Sequence, residues 1–210
     1  MFEGYRFILA SKSPRRHELL AGLDIKFKVE TGPETPEAFN CDIPHSQVPE
    51  YLAKHKSLAF PGVLEADEVL ITADTLVFGS HEKLEIGMLS DEILQKCLIL
   101  GKPKDREDAV RILSLLSDNT HYVLTGVAIR TPNEIRSFTA TTEVTFKKLS
   151  MEEISYYIEK YEPYDKAGAY GVQEWIGHIG ITAISGSYYN VMGLPVQRLY
   201  QELCELCPKK

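Results

Sequence analysis

The sequence has no excess of positive charge, no long apolar run and few cysteines, and each shortage removes a class of protein. Its 23 lysines and arginines are outnumbered by 30 aspartates and glutamates, for a formal net charge of -7. Holding duplex nucleic acid by neutralising many phosphates needs a basic face. No long basic run occurs, so stable nucleic-acid binding is not expected. A small anionic ligand asks for only a few local cations and is still compatible. No stretch approaches the ~20 apolar residues of a membrane span. The opening residues, Met1 to Ala10, carry Glu3 and Arg6 without the apolar segment of a secretion signal. A cytoplasmic protein away from membranes is the expectation.

The four cysteines are Cys41, Cys97, Cys204 and Cys207. The last two form a C-x-x-C at the end of an apparent helix, with no second pair and no histidine pair behind it. A structural zinc takes four ligands, so these read as reduced thiols. No repeat or low-complexity tract appears.

What is present is enough for a core: 44% of the 210 residues are hydrophobic and 25% are charged. Phe7 to Ala10 reads as a strand, then a turn leads to Ser13 at the N-cap, Pro14 at the first helical position and Gly22 just past the end. Residues 31–49 hold four prolines and read as an irregular connection, followed by a helix from Glu50 to about Ala59. Val69 to Phe78 reads as a strand, residues 79–101 as an insertion with no definite pattern, and Asp105 as the cap of a helix through Leu116. Tyr122–Arg130 and Ser137–Lys147 read as paired strands, the second alternating. Ser150 and Glu153 form a capping box ahead of a helix burying Ile154, Tyr157, Ile158 and Tyr161. A Gly-rich stretch follows, and Pro195 opens the last helix. Strands interleaved with helices predict a mixed α/β sheet in a single domain over 1–210.

Four constellations can carry chemistry. A strand runs into a helix N-terminus at Ser11-Lys12-Ser13-Pro14-Arg15-Arg16, where free N–H groups, hydroxyls and cations would cradle a phosphate without the glycines of a P-loop. An ordinary capped helix with solvated cations fits the same residues. Asp74 interrupts an apolar strand, where an ionised carboxylate needs a partner, whether a cation, a metal or a substrate proton. Lys56 falls on the inward side of its helix, either snorkelling outward or aimed into a pocket. Residues Asp165 to Gln173 combine small residues, which let a ligand approach the backbone, with a carboxylate, the Lys166 ammonium and the Gln173 amide.

Taken in order, these segments resemble the Maf family of nucleotide pyrophosphatases. The strings are Leu9-Ala10-Ser11-x-Ser13-Pro14-Arg15-Arg16-x-Glu18-Leu19-Leu20, Ala73-Asp74-Thr75, Gly101-Lys102-Pro103, His121-x-Val123-x-Thr125-Gly126-Val127 and Asp165 to Gln173, spread over residues 7 to 195. The resemblance implies a mixed twisted sheet flanked by helices, similar to the inosine triphosphate pyrophosphatase fold, with a cleft between two lobes and members that often dimerise. It implies water attack on the α-phosphorus of a nucleoside triphosphate, with pyrophosphate leaving and a divalent cation (Mg2+ or Mn2+) as cofactor. By position Asp74 matches the proton acceptor, Glu34 and Asp74 the metal site, and Ser11, Arg16, Lys56 and Lys102 the phosphate side. Arg15, Thr75 and Gln173 match the positions marking the subfamily that acts on dTTP and UTP, and Lys166 joins the substrate-binding set. The chain departs from the pattern at Glu34-Thr35, where two adjacent acidic residues are common, and in the longer stretch between Thr75 and Lys102. Two rival functions stay open: the same reaction on a purine or modified nucleotide, and a regulatory nucleotide-binding role linked to cell division.

Overall fold

A computed structural model describes residues 2–33, 39–40 and 42–208. The chain alternates strands and helices: β1 (Arg6–Leu9), α1 (Pro14–Ala21), β2 (Phe27–Val29), α2 (Val48–Ala59), β3 (Glu68–Gly79), α3 (Asp91–Lys96), β4 (Leu98–Leu100), α4 (Arg106–Leu116), β5 (Thr120–Arg130), β6 (Ile135–Phe146), α5 (Met151–Tyr161), α6 (Trp175–Gly180), β7 (Ile181–Ser185), α7 (Tyr188–Met192) and α8 (Val196–Leu206), with short 3-10 turns at 45–47, 163–165 and 167–169. The strands form one mixed sheet in the order β2-β1-β3-β5-β6-β7, with β4 added to β3. Strands β2, β1 and β3 run parallel, in register Leu9↔Val29 and Leu9↔Ile71, while β4 and β7 run antiparallel to β3 and β6. The mixed α/β class expected from the sequence is what forms.

The chain divides into two compact units. One comprises residues 1–74, 125–140 and 193–210, the other residues 75–124 and 141–192. In the first, Ile8, Phe60, Leu64 and Leu70 form a small core. Helix α2 is fixed there along one face, at positions four and then three residues apart. Pro49 meets β5 at Gly126, where a Cβ would fall 2.1 Å from the Pro49 carbonyl carbon. One turn on, the Thr72 hydroxyl donates to the Ala53 carbonyl at 2.7 Å. A further turn on, Lys56 reaches Asp74. Residues at i, i+4 and i+7 share a helix face, so the glycine contact sets where Lys56 arrives.

In the second unit, β3 from Val77, β5 at Val123 and β6 at Val144 and Phe146 contribute to a core with Ala109, Ile112, Leu113 and Leu116 of α4 and Ile154, Tyr157 and Ile158 of α5. The helical residues recur at the spacing that puts apolar side chains on one stripe. Asp105 caps α4 through the Asp108 N–H, and the Ser150–Glu153 capping box forms in full.

Three readings need correction. Helix α2 starts at Val48, so Pro49 lies inside its first turn, where a missing N–H costs nothing. The 79–101 stretch is ordered, holding α3, with Ser90 as its N-cap, and β4. The buried Asn119 carboxamide fastens its start, donating to the Ser80 and Glu82 carbonyls at 3.0 Å each and accepting from Leu84 N–H at 2.7 Å. Farther on, Glu143 accepts from Gly87 N–H at 2.8 Å. The Gly-rich stretch contains α6, β7 and α7, elements too short for a periodicity to mark. Strand β2, three residues with two exposed, was likewise below detection.

Gly126→Ala is expected to lower stability by about 1–3 kcal/mol, the usual cost of overfilling a close-packed contact. The check is the denaturant midpoint at unchanged m-value.

Candidate active site

The first unit gathers five of the site residues expected from the sequence. The parallel pairing of β1 with β3 ends at Leu9↔Ile71, and Ala10 N–H still donates to the Ile71 carbonyl at 2.9 Å. Beyond that bond β1 gives way to the Ser11–Ser13 turn and α1, while β3 continues to Asp74. A helix N-terminus at the carboxyl end of a parallel strand presents unpaired N–H groups and positive dipole. Ser13 occupies the N-cap position without a side-chain capping bond. Instead the Ser11 hydroxyl accepts from Ser13 N–H at 3.2 Å, and the Ser11 carbonyl meets His17 Nε2 at 2.7 Å. A carbonyl only accepts, so that nitrogen carries the proton. Ser11 is buried, Arg15 and Arg16 half-buried and Lys12 exposed.

Arg16 is oriented by main chain. Its Nε donates to the Gly193 carbonyl and one terminal nitrogen to the Ala73 carbonyl, both at 2.8 Å. The guanidinium therefore lies against the peptide just before Asp74. The Asp74 carboxylate is 6% exposed, and its Oδ1 accepts from the Lys56 ammonium, itself 27% exposed. Two possibilities posed separately by the sequence, a paired carboxylate and an inward lysine, are one contact. Glu34, the other expected metal-site carboxylate, lies outside the described residues.

The second unit holds Thr75, Lys102, Lys166 and Gln173. Gly168, at φ +72, donates its N–H to the Gly101 carbonyl at 3.1 Å and lies where a Cβ would meet Val77 at 2.9 Å. The Gly101-Lys102 segment thus abuts the 167–169 turn, with Lys102 itself exposed. Lys166, 8% exposed, is held by Asp165 at 2.7 Å and Glu174 at 3.1 Å. The amide oxygen of Gln173 is buried without a hydrogen-bond partner, a state costing about 1–3 kcal/mol until a donor arrives.

Two residues that the sequence reading left without a polar role belong to this group. Glu174 bridges Lys166 and the Tyr157 hydroxyl, and Tyr157 had been read as core alone. The signal available was a carboxylate beside Gln173 in an otherwise small or apolar run.

Not every matched string is chemical. His121 is fully buried, its Nε2 2.7 Å from the Tyr170 hydroxyl and its ring edge-on to Phe146 and Tyr170. Among the described residues no group of three His, Cys, Asp or Glu gathers as a metal cage. Cys204 is exposed and Cys207 buried, both free, and burial pushes the Cys207 thiol up to about 11. No helix of the described residues is long and apolar enough to cross a membrane.

The Maf-like protein family profile matches residues 6–206. The chain belongs to the Maf-like family. It is 47% identical over 202 residues to a dTTP/UTP pyrophosphatase of Bacteroides thetaiotaomicron, covering 96% of each chain. A dTTP/UTP pyrophosphatase of Phocaeicola vulgatus is 49% identical over 204 residues, 97% of each chain. That of Porphyromonas gingivalis W83 is 48% identical over 201 residues, 95% of this chain and 93% of the relative. The strings that resembled this family therefore lie in a Maf-like chain matched along nearly its full length.

Burial lowers the His121 pKa from 6.5 to about 3. The unfolded chain takes up a proton near 6.5 that the folded chain refuses, so stability is complete above that pH and lost as pH falls towards 3. The slope is about 1.4 kcal/mol per pH unit per proton. Denaturant unfolding at pH 7.5, 6.5 and 5 should show His121→Gln losing about 2 kcal/mol less than the wild type between the last two. Parallel pH profiles would rule out this assignment.

Proposed function

We propose that this Maf-like protein is a nucleoside triphosphate pyrophosphatase acting on dTTP and UTP, releasing the monophosphate and pyrophosphate. The observation that carries the reading is the Asp74–Lys56 contact midway along β3, just past the end of its pairing with β1 and beside the Arg16 guanidinium. A carboxylate held among cations at a phosphate-binding helix terminus suits proton removal from water next to a polyanion. The full-length similarity to named dTTP/UTP pyrophosphatases supports the same assignment. Asp74 also favours turnover over a purely regulatory binding role, since a binder has no need of a base.

In this mechanism Asp74 accepts the proton of the attacking water. Lys56 donates to its Oδ1. The α1 N-terminus, Ser11 and Arg16 bind phosphate oxygens, with Arg16 aimed by its two carbonyl acceptors. Lys56 and Lys102 add positive charge on the phosphate side. The donor set fits a divalent cation brought largely by the substrate, because magnesium uses one or two carboxylates together with phosphate oxygens and water. Asp74 and Glu34 would hold it, and when bound it would supply charge compensation on the phosphate oxygens. Thr75 and Gln173 offer a hydroxyl and an unsatisfied amide oxygen to the N–H and carbonyl edge of thymine or uracil. A site built on such bonds rejects a mismatched base because its own polar groups stay unpaired.

Purified protein with magnesium or manganese should convert dTTP and UTP to monophosphate and pyrophosphate, and a chelator should stop it. Diphosphate and orthophosphate as products would place cleavage at the wrong bond.

For Asp74→Asn, turnover is expected to drop by roughly 10²–10⁴-fold, with the circular dichroism spectrum retained because the amide still accepts from Lys56. A folded variant at the wild-type rate would exclude Asp74 as the base.

A further inference from the structure

Gln173 sits at the third position of a tight turn, residues 171–174, closed by Glu174 N–H donating to the Gly171 carbonyl at 3.0 Å. Short turns of this kind ordinarily owe their shape to local backbone preference. This one is braced from outside. Gly171 N–H donates to the Tyr157 hydroxyl oxygen at 3.0 Å, and the same hydroxyl donates to Glu174 Oε2. The first and last residues of the turn are thus joined through a single side chain of α5. The other Glu174 oxygen accepts from Lys166 at 3.1 Å.

Two glycines keep the brace tight. A Cβ at Gly171 would fall 2.8 Å from the Glu174 carboxyl carbon, and one at Gly177 would fall 2.0 Å from the Val172 carbonyl oxygen. Tyr157 is fully buried and stacks on Tyr161 at 5.1 Å, so its hydroxyl has little freedom to follow a moving partner. Burial and Glu174 both push its pKa upward, and the hydroxyl stays a donor.

We infer that Tyr157 and Glu174 are positioning residues for base selection: their linked hydrogen bonds across the 171–174 turn fix where the Gln173 amide points. Neither touches the base. The inference rests on the reading that Gln173 meets a pyrimidine, and it accounts for a phenol and a carboxylate that the hydrolytic step does not use. A recognition amide carried by a mobile turn would pay an ordering cost at every binding event, which this brace removes in advance.

The test is calorimetric titration of the full chain with dTMP and dGMP, product-like probes that need no turnover, alongside KM and kcat for dTTP. Wild type should prefer dTMP. Tyr157→Phe and Glu174→Ala should each weaken dTMP about tenfold, the scale of one lost hydrogen bond and a displaced amide. They should leave dGMP unchanged, and the dTTP effect should fall on KM more than on kcat. Glu174→Gln keeps an acceptor for Tyr157 and should stay within about threefold of wild type. Equal weakening of both nucleotides, or an intact dTMP preference in the folded variants, overturns the inference while leaving the pyrimidine reading standing. A wild type that binds both alike removes the pyrimidine reading itself. If Tyr157→Phe fails to fold, the Glu174→Ala and Glu174→Gln pair decides.

Discussion

Helix α2 lies against β5 at a separation that only a glycine permits. Any side chain at Gly126 would occupy the space of the Pro49 carbonyl group, so the helix is set down on the sheet at one point and one height. From there the helical repeat does the rest. Ala53 meets Thr72 and Lys56 meets Asp74, two residues farther along β3. Other contacts hold the same helix from its flanks, with the Ser137 hydroxyl donating to Glu50 at 2.6 Å and Arg130 donating to the Ser57 carbonyl. A carboxylate as buried as Asp74 is tolerable in an apolar strand because a cation is delivered to it. The chemistry proposed for Asp74 therefore depends on a backbone contact two helical turns away.

Each unit holds a cation of the candidate site in its own way. Arg16 is anchored by two carbonyls, acceptors that carry no charge and do not titrate. Lys166 is held by two carboxylates in a largely buried position. Carbonyl acceptors orient a guanidinium without themselves cancelling its charge. An ammonium gripped by carboxylates has much of its field compensated and is better suited to fixing geometry.

Most of the architecture could be read from the sequence where a pattern ran long enough to repeat. The apolar runs of β3 and β5, the spacing of Ala109, Ile112, Leu113 and Leu116 and the Ser150–Glu153 box each mark their element locally. Elements of three to six residues, such as β2, β4 and α6, owe their existence to partners distant in the chain and leave no period to detect. For the site, the hydroxyls and cations before α1 and the carboxylate in β3 stood out because they sit where the local pattern predicts something else. Tyr157 did not, since an aromatic at helical spacing looks like core. Core is what it is, apart from one oxygen atom. His121 was equally opaque, a polar residue in a matched string whose ring proves to be part of the second core.

The attachment of the 79–101 stretch has a consequence for how the chain tolerates change. Its entry is tied to the carboxamide of Asn119 and its middle to Glu143 through Gly87, while Ile86, Met88 and Leu89 at the tip face outward. Both tethers grip backbone groups, so they are indifferent to which side chains the loop carries. Closing a loop twice as long costs only about 0.6 kcal/mol more. Around the Gly87 mooring the polypeptide can lengthen or shorten at these exposed residues, while the pairing of β3 with β4 at Val77↔Leu100 keeps Thr75 before it and Lys102 after it in their places. Length variation in this chain has a natural address.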